Sequence, residues 1–397
     1  TGQGTFTHQE PVPSAASHLS VVPAASPWSR KRPFPALVER VVKLTTKQSA
    51  KDVYHVELSI EGSGLHYQPG DSLGVWAYNP AERVARVLSG LGIEASASVE
   101  IEGERRTAHD WLSRHRELTR LSLDAVLAYA QFTRRGRLAL LLKAMNEAEQ
   151  RDFLESRQFL DLVEEFPASL TAGELVGLLG PLAPRSYSIA SSLEAADGEV
   201  HLTVATLFSN AIGKERRGLA SEFLNHRMQE GDEVGVFLEP NRRFRLPDDS
   251  YAPIIMVGAG TGIAPFRAFM QDLEERGSKL DSWLIFGNPN QRHDFLYQSE
   301  WLRWRTRGLL NRIDTAFSRD QPEKRYVQHI VQEQGAELLQ WLERGARLYI
   351  CGALAMGAAV EESLKNSLMA IRGLDSQAAN DCLSGLRREK RILKDLY

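Results

Sequence analysis

The chain has 397 residues, of which 43% are hydrophobic, and a formal net charge of −3. This length predicts two or three domains with hydrophobic cores, and the charge excludes the strongly basic character that is typical of nucleic-acid binding. No apolar segment approaches the roughly 20 residues of a membrane-spanning helix, and the two cysteines exclude a disulfide framework, which favours the reducing cytoplasm.

The first 33 residues are rich in Pro, Ser and Ala and predict a linker or tail. The pattern changes at Phe34, because apolar residues alternate at 38–42 and 53–58 as they do in half-buried strands. A turn at 67–71 then leads into a third strand, 73–76.

Residues 83–180 have a different pattern. Ala, Leu, Glu and Arg dominate there, and apolar residues recur every three or four positions, which is typical of helices. Strand patterns return from Ser186. We therefore predict an antiparallel β-domain over 34–82 and 181–248, with a helical insertion over 83–180.

The last part of the chain, 249–397, predicts an α/β domain. Short apolar strands that end in glycine occur at 253–258, 283–287 and 348–352, with helical segments between them. This alternation is typical of βαβ units and implies a parallel sheet.

A glycine-rich turn directly follows the first of these strands. Residues 258–263 read GAGTGI, and backbone N–H groups in such a turn can approach a pyrophosphate at the start of the next helix. Ile263 occupies the third glycine position of the usual dinucleotide motif, so a purely structural turn is the alternative. The following Pro265-Phe266-Arg267 makes the motif more specific.

Two further segments offer groups that could bind phosphate. Residues 185–192 read RSYSIASS and combine a cation, an aromatic face and hydroxyls on a strand; the alternative is an ordinary exposed strand. Residues 218–221 read GLAS at a helix start, and the alternative there is a plain helix N-terminus.

A third segment carries cations and hydroxyls that would suit a ribose 2′-phosphate. Ser318-Arg319 is followed by Lys324, Tyr326 and Gln328. Neither residue of the Ser318-Arg319 pair is acidic, whereas NADH-binding sites place an acidic residue near the ribose. The alternative is a solvated basic face. Two single residues do not indicate a function by themselves. Cys351 lies near the end of a strand, where a buried cysteine is common, and Tyr397 is the last residue.

These motifs, in this order, resemble the ferredoxin–NADP reductase superfamily over about residues 34–397. Within it the chain is most similar to diflavin reductases of the sulfite reductase flavoprotein type. FGNP at 286–289, DFLY at 294–297 and the final tyrosine carry that closer similarity. One departure is Ala353, where the family commonly has an acid.

The resemblance implies an FAD-binding antiparallel β-barrel with a helical insertion, followed by a doubly wound parallel α/β domain that binds NADPH. It also implies a set of cofactor contacts: Arg185, Tyr187, Ser188, Thr203, Gly218, Ala220, Ser221, Gly260, Thr261, Gly262, Ser318, Arg319, Lys324, Tyr326, Gln328 and Tyr397. The implied catalytic group is Ser188, Cys351, Asp395 and Tyr397, and no metal is expected.

The function implied is transfer of a hydride from NADPH to FAD. Electrons would then pass to FMN on a flavodoxin-like domain, separate or missing here, and to a haemoprotein that reduces sulfite to sulfide. Two alternatives stay open: a diflavin-type reductase with another haem or membrane acceptor, and a redox-inactive docking subunit.

Overall fold

The computed structural model describes residues 26–247 and 252–397, so the linker predicted at 1–25 and the domain boundary predicted at 248/249 lie outside the described residues. Residues 26–33, predicted as the end of the linker, lie against the first sheet. The Trp28 ring packs against Phe34 at 5.1 Å and donates to the carbonyl of Ser63. Within these residues no helix is long and apolar enough to cross a membrane.

The fold begins with three strands: β1 (Phe34–Lys43), β2 (Val53–Ser59) and β3 (Ser72–Trp76). β1 and β2 are antiparallel neighbours, and Val56 and Leu58 of β2 are fully buried. The alternation that predicted these strands is thus explained by one face packing on a core.

An insertion of short helices with a small hairpin follows: α1 (Ala81–Gly90), β4 (Ser98–Ile101), β5 (Glu104–Thr107), α2 (Ala108–Arg114), α3 (Leu123–Ala130), α4 (Arg137–Ala144), α5 (Glu147–Ser156), α6 (Phe159–Glu165) and α7 (Ala172–Leu178). Its buried side chains form a core of their own, from Val84 to Leu179. The prediction of a helical insertion missed the two short strands β4 and β5, which are joined by a turn with positive φ at Glu102 and Gly103.

The chain then returns to the first sheet: β6 (Arg185–Ser188), β7 (Glu199–Ala205), the hairpin β8 (Phe208–Ala211) and β9 (Lys214–Arg217), α8 (Leu219–Glu222) with a π-helical continuation (Phe223–Arg227), and β10 (Glu233–Glu239). The strand order is β6-β3-β10-β1-β2-β7, with antiparallel neighbours. A bridge between Ile189 and Leu202 joins the two outer strands. The sheet therefore closes into the predicted barrel.

The last domain alternates strands and helices: β11 (Ile254–Ala259), α9 (Ala264–Glu275), β12 (Ser282–Asn288), α10 (Gln291–Asp294), α11 (Gln298–Thr306), β13 (Arg312–Phe317), α12 (Val327–Glu333), α13 (Gly335–Glu343), β14 (Arg347–Gly352), α14 (Leu354–Arg372), α15 (Ser376–Arg388) and β15 (Ile392–Leu396). A 3₁₀ turn, Gly260–Ile263, separates β11 from α9.

These strands form a parallel sheet in the order β13-β12-β11-β14-β15, with a hydrophobic cluster on each face. This confirms the predicted doubly wound fold. The strand order reverses between β11 and β14, and open α/β sheets bind ligands outside the carboxyl ends of the strands at such a point.

The barrel and the α/β domain share part of one core. Val53 of the barrel belongs to the same buried cluster as Phe244 and Phe266, and the Tyr349 hydroxyl donates to the carbonyl of Arg245 at 2.6 Å. The two domains are therefore in close contact over one face of the parallel sheet.

Candidate functional site

Ser188, Cys351 and Asp395 meet between the two domains. The Ser188 hydroxyl donates to Asp395 Oδ2 at 2.7 Å, and Cys351 Sγ lies 3.9 Å from the same oxygen. Ser188 ends β6 in the barrel, whereas the other two lie on neighbouring strands of the parallel sheet. The structure thus brings together three residues that are far apart in sequence.

The register of the parallel sheet explains how Asp395 reaches the cysteine. β14 and β15 pair so that Cys351 lies directly beside Asp395. β15 was not predicted from the pattern, because its apolar part is only Ile392-Leu393. Without that strand, the sequence offers no reason for the two side chains to be adjacent.

The thiol of Cys351 is fully buried. This burial, and then the neighbouring carboxylate of Asp395, raise the pKa of Cys351 well above its usual range. A thiolate is the nucleophilic form of cysteine. The neutral thiol therefore serves as a weak donor to Asp395 rather than as a nucleophile.

Tyr397 is held at the same place by its backbone and its hydroxyl. Its N–H donates to the carbonyl of Gly352 at 3.1 Å, Leu354 donates to its carbonyl at 3.3 Å, and its hydroxyl lies 2.7 Å from Thr261 Oγ1. The side chain is still 61% exposed. An aromatic ring is thus anchored at the switch point with a face available to a planar ligand.

The glycine turn before α9 packs closely against the β14 loop. A Cβ on Gly262 would lie 2.1 Å from the carbonyl oxygen of Cys351, and Gly260 has φ of +58°. Both positions therefore require glycine for structural reasons. The start of α9 directly follows, but the N–H of Ala264 already donates to the carbonyl of Thr261, and Pro265 has no N–H. An anion here would therefore be met by N–H groups of the 260–263 turn.

Ser318 and Arg319 follow the end of β13, with their backbone N–H groups bound to carbonyls of the 288–289 loop. The side chains of Arg319 and Lys324 are exposed, and within the described residues neither makes a side-chain hydrogen bond or an ion pair. Two cations thus lie in one loop beyond the carboxyl edge of the sheet.

An acid does stand next to this pair, at Asp320. Its carboxylate accepts from Asn290 Nδ2 at 2.9 Å and from the N–H of Gln291 at 2.8 Å, so it is already bound within the loop. Tyr326 is 41% exposed at the start of α12, and Gln328, the second residue of that helix, is half-buried. Apart from Asp320 and the exposed Glu323, the charged and aromatic groups of the loop are therefore cations and Tyr326.

Arg185 and Tyr187 share one side of β6, because alternate residues of a strand do. In the described parts of the chain the Arg185 side chain has no hydrogen-bond or ion-pair partner. Tyr187 is half-buried, and burial raises the pKa of its hydroxyl. This strand thus offers an unpaired cation beside an aromatic face.

The GLAS segment forms the first turn of α8. The Ser221 hydroxyl accepts from the N–H of Leu207 and donates to the carbonyl of Gly218, both at 3.1 Å, and so is used locally. The first-turn N–H groups of Leu219, Ala220 and Ser221 lack acceptors inside the helix. Any anion here would be bound by backbone N–H groups rather than by the serine hydroxyl.

Thr203 lies in the interface between the barrel and the α/β domain. It is buried, and its hydroxyl is 2.7 Å from the hydroxyl of Tyr297. The geometry therefore gives no support to the cofactor contact predicted for Thr203.

The sequence reading missed a group of buried polar residues around Thr203. The Tyr297 hydroxyl also lies 2.9 Å from His55 Nδ1, and Arg267 Nη1 lies 3.2 Å from His201 Nδ1. The PFR and DFLY motifs contain Arg267 and Tyr297, but their partners lie in the barrel. That pairing depends on tertiary contacts that no local pattern reveals.

His55, Glu57 and His201 have ligand atoms within 4.8 Å of one another, as in a metal site. Because Arg267 can only donate to His201 Nδ1, His201 Nε2 must carry the proton that it donates to Glu199 at 2.9 Å. The hydrogen bonds thus occupy the nitrogen that a metal would need.

Two family models match the chain. The FAD binding domain matches residues 26–223, and the oxidoreductase NAD-binding domain matches residues 256–362. The chain belongs to the ferredoxin–NADP reductase superfamily of flavoproteins. These matches support FAD and a nicotinamide dinucleotide as its cofactors.

Curated relatives are similar over almost the whole chain. A sulfite reductase [NADPH] flavoprotein alpha-component from Shewanella oneidensis is 45% identical over 381 residues, which is 95% of this chain and 62% of that protein. The protein of the same name from Neisseria meningitidis serogroup B is 43% identical, over 93% of this chain and 61% of its own length. That from Vibrio cholerae is 41% identical, over 97% and 63%. The chain thus spans about 62% of the length of the curated relatives it matches.

The residues present fit the two cofactors of this superfamily. FAD carries a pyrophosphate and a flat ring, which suit the unpaired Arg185, the first turn of α8 and the face of Tyr187. A nicotinamide dinucleotide phosphate carries more negative charge, which suits the exposed Arg319 and Lys324. Both fits rest on side chains that lack partners within the described residues.

Proposed function

We propose that this chain is the FAD- and NADPH-binding reductase part of a sulfite reductase flavoprotein. The observation that carries the proposal is the Ser188–Asp395–Cys351 cluster, which only forms when the barrel and the nucleotide domain meet. The relatives named as sulfite reductase flavoproteins support the choice among reductases.

FAD, when bound, accepts a hydride from NADPH and releases electrons one at a time. Arg185 and the first turn of α8 would hold its pyrophosphate, and Tyr187 would stack on its ring system. Asp395 accepts the hydrogen bond of Ser188 and so fixes the direction of that hydroxyl. Because the Ser188 hydroxyl donates to Asp395, its oxygen would be oriented to accept a hydrogen bond or a proton from the flavin edge.

NADPH would bind across the carboxyl edge of the parallel sheet. The turn before α9 would meet the pyrophosphate, and Ser318, Arg319, Lys324, Tyr326 and Gln328 would surround the 2′-phosphate. Charge-assisted contacts to phosphate are among the stronger hydrogen bonds. This arrangement favours NADPH over NADH.

The nicotinamide would have to approach the flavin near Cys351, which is fully buried. Tyr397 lies at the same point with its ring exposed. We infer that the tyrosine covers the flavin ring until the nicotinamide takes its place.

Onward transfer would go to an FMN-binding flavodoxin-like domain and then to a sulfite reductase haemoprotein. Both are proposed from the resemblance to diflavin reductases, and the relatives, of which the chain spans about 62%, are named as sulfite reductase flavoproteins. The two free cysteines, one buried and one exposed, suit the cytoplasm as the compartment.

The test is anaerobic addition of NADPH to the purified, FAD-loaded chain. We expect the flavin absorbance near 450 nm to bleach with NADPH and far more slowly with NADH. Adding the FMN domain and the haemoprotein should then yield sulfide from sulfite. Persistent flavin absorbance with NADPH would instead support a redox-inactive docking subunit, and bleaching without sulfide would support a different acceptor.

A further inference from the structure

The segment that follows Ser188 is held by the α/β domain at two points. Arg267 Nη1 donates to the carbonyl of Ala190 at 2.8 Å, and the N–H of Ser192 donates to Gln271 Oε1 at 2.9 Å. Arg267 and Gln271 are four residues apart on α9, so they project from the same face of that helix. One helix face thus binds alternate residues of the chain directly beyond Ser188.

The turn that begins α9 touches the opposite half of the site. The turn that leads into this helix packs Gly262 against the carbonyl of Cys351, and Thr261 meets the Tyr397 hydroxyl. α9 is a continuous helix of 12 residues. It therefore links the loops around Cys351 with the strand around Ser188 through a single rigid element.

Arg267 is itself fixed in place. It is 7% exposed, its Nε donates to Glu300 at 2.8 Å, and its guanidinium lies over the Tyr297 ring at 4.9 Å. The Tyr297 hydroxyl in turn bonds the barrel through His55 and Thr203. Any shift of α9 relative to the barrel would break several of these contacts together.

We propose that Arg267 and Gln271 are positioning residues, which hold the end of β6 so that Ser188 stays within hydrogen-bond reach of Asp395. This inference rests on the proposed function, because the step that it affects is flavin reduction by NADPH. A displacement of about 1 Å near a reacting group can lower a rate by up to two orders of magnitude. The 2.7 Å bond between Ser188 and Asp395 would not survive such a shift.

The test uses Gln271→Met and Gln271→Glu in the FAD-loaded chain. Methionine has nearly the same size but its sulfur accepts only weakly, whereas a glutamate carboxylate can accept from the N–H of Ser192. We expect Gln271→Met to lower the limiting rate of FAD reduction about tenfold, with NADPH affinity and FAD content within about twofold of the parent. Gln271→Glu should recover most of that rate. Glu275→Met, an exposed change on the same helix, is the matched control.

A second variant covers the case in which Gln271→Met folds poorly. Tyr297→Phe keeps the ring beneath Arg267 and removes the hydroxyl that His55 and Thr203 share. We expect a smaller fall in the same limiting rate, again without loss of FAD.

The outcomes separate this inference from the proposed function. A parent chain whose FAD is not reduced by NADPH would overturn the proposed function. An active parent, with folded Gln271→Met and Tyr297→Phe variants that reduce FAD at the parental rate, would overturn the positioning role alone. Equal losses in Gln271→Met and Gln271→Glu would also overturn it, because the acceptor at position 271 would not be what matters.

Discussion

The barrel meets the α/β domain and the helical insertion in different ways. Toward the α/β domain it shares a buried core at Val53 and a network of buried hydrogen bonds around Arg267 and Tyr297. The insertion keeps its own core, and ion pairs of Asp161 tie it to the β8–β9 hairpin. The interface between the barrel and the α/β domain contains the candidate site. Alignment of the site therefore depends on that contact and not on the insertion.

The largest expected effect comes from removing the ion pairs between the helical insertion and the β8–β9 hairpin. Asp161 is 3% exposed and binds Lys214 at 2.9 Å and Arg216 at 2.5 Å. Asp161→Asn would leave Arg216, whose side chain is only 10% exposed, without its counter-charge, which destabilises by up to about 3–5 kcal/mol. We expect a lower urea midpoint but an unchanged limiting rate of FAD reduction in the protein that remains folded.

The matched control is Glu164→Gln. Glu164 also pairs with Lys214, but its side chain is 35% exposed. Such a pair contributes about 0–1 kcal/mol. A rate that falls together with stability in Asp161→Asn would show that the insertion also aligns the site.

Low pH should weaken the interface between the barrel and the α/β domain. Burial, and then the charge of Arg267, lower the pKa of His55 to about 2 and that of His201 to about 4. Unfolded histidines titrate near pH 6.5, so below that pH the unfolded chain binds more protons and stability falls as pH falls. The loss ends near pH 4 for His201 and near pH 2 for His55. At about 1.4 kcal/mol per pH unit for each group, we expect roughly 2–4 kcal/mol between pH 6.5 and 5.

The measurement is urea unfolding at both pH values, on the parent and on a His55→Gln variant. The variant should lose less stability on acidification than the parent. His66→Gln, an exposed histidine of the barrel, should behave as the parent does. Identical pH dependence in all three would mean that the buried pair does not control this interface.

A third change should affect nucleotide binding alone. Arg319→Ala removes an exposed cation and touches neither interface. A charged hydrogen bond to phosphate contributes about 1.5–3 kcal/mol, so we expect the KM for NADPH to rise tenfold or more, with NADH nearly unaffected. Equal losses for both nucleotides would assign Arg319 a structural role instead.

Much of the fold could be predicted, because three of the five strands of the α/β domain, β11, β12 and β14, are short apolar runs with a glycine at or near their ends. β13 and β15 were missed, because β13 carries charged and polar residues among its apolar ones and the apolar run of β15 is only two residues long. The Arg267–Ala190 contact was missed for a different reason: both residues lie in recognisable motifs, but their pairing depends on how two domains pack. Local patterns carry no information on that packing, so the site assignments at Ser188 and Asp395 came from the resemblance.

The smallest expected effect concerns Ala353, which precedes α14 with extended backbone and no side-chain cap. Ala353→Asp would supply an acceptor for the first-turn N–H groups and stabilise by about 1 kcal/mol. We expect a higher melting temperature and the same limiting rate of FAD reduction. No change in melting temperature would mean that these N–H groups are already satisfied.

The most direct test of the account is the rate at which NADPH reduces FAD in Ser188→Ala, measured by stopped-flow absorbance. Ser188 is where the barrel reaches Asp395, so removing its hydroxyl removes the contact that joins the two halves of the site. We predict a limiting rate at least about a hundredfold below the parent, typical of a lost proton-handling group, with NADPH affinity and FAD content nearly unchanged. A parental rate in the folded, FAD-loaded variant would contradict the claim that this cluster forms the active site.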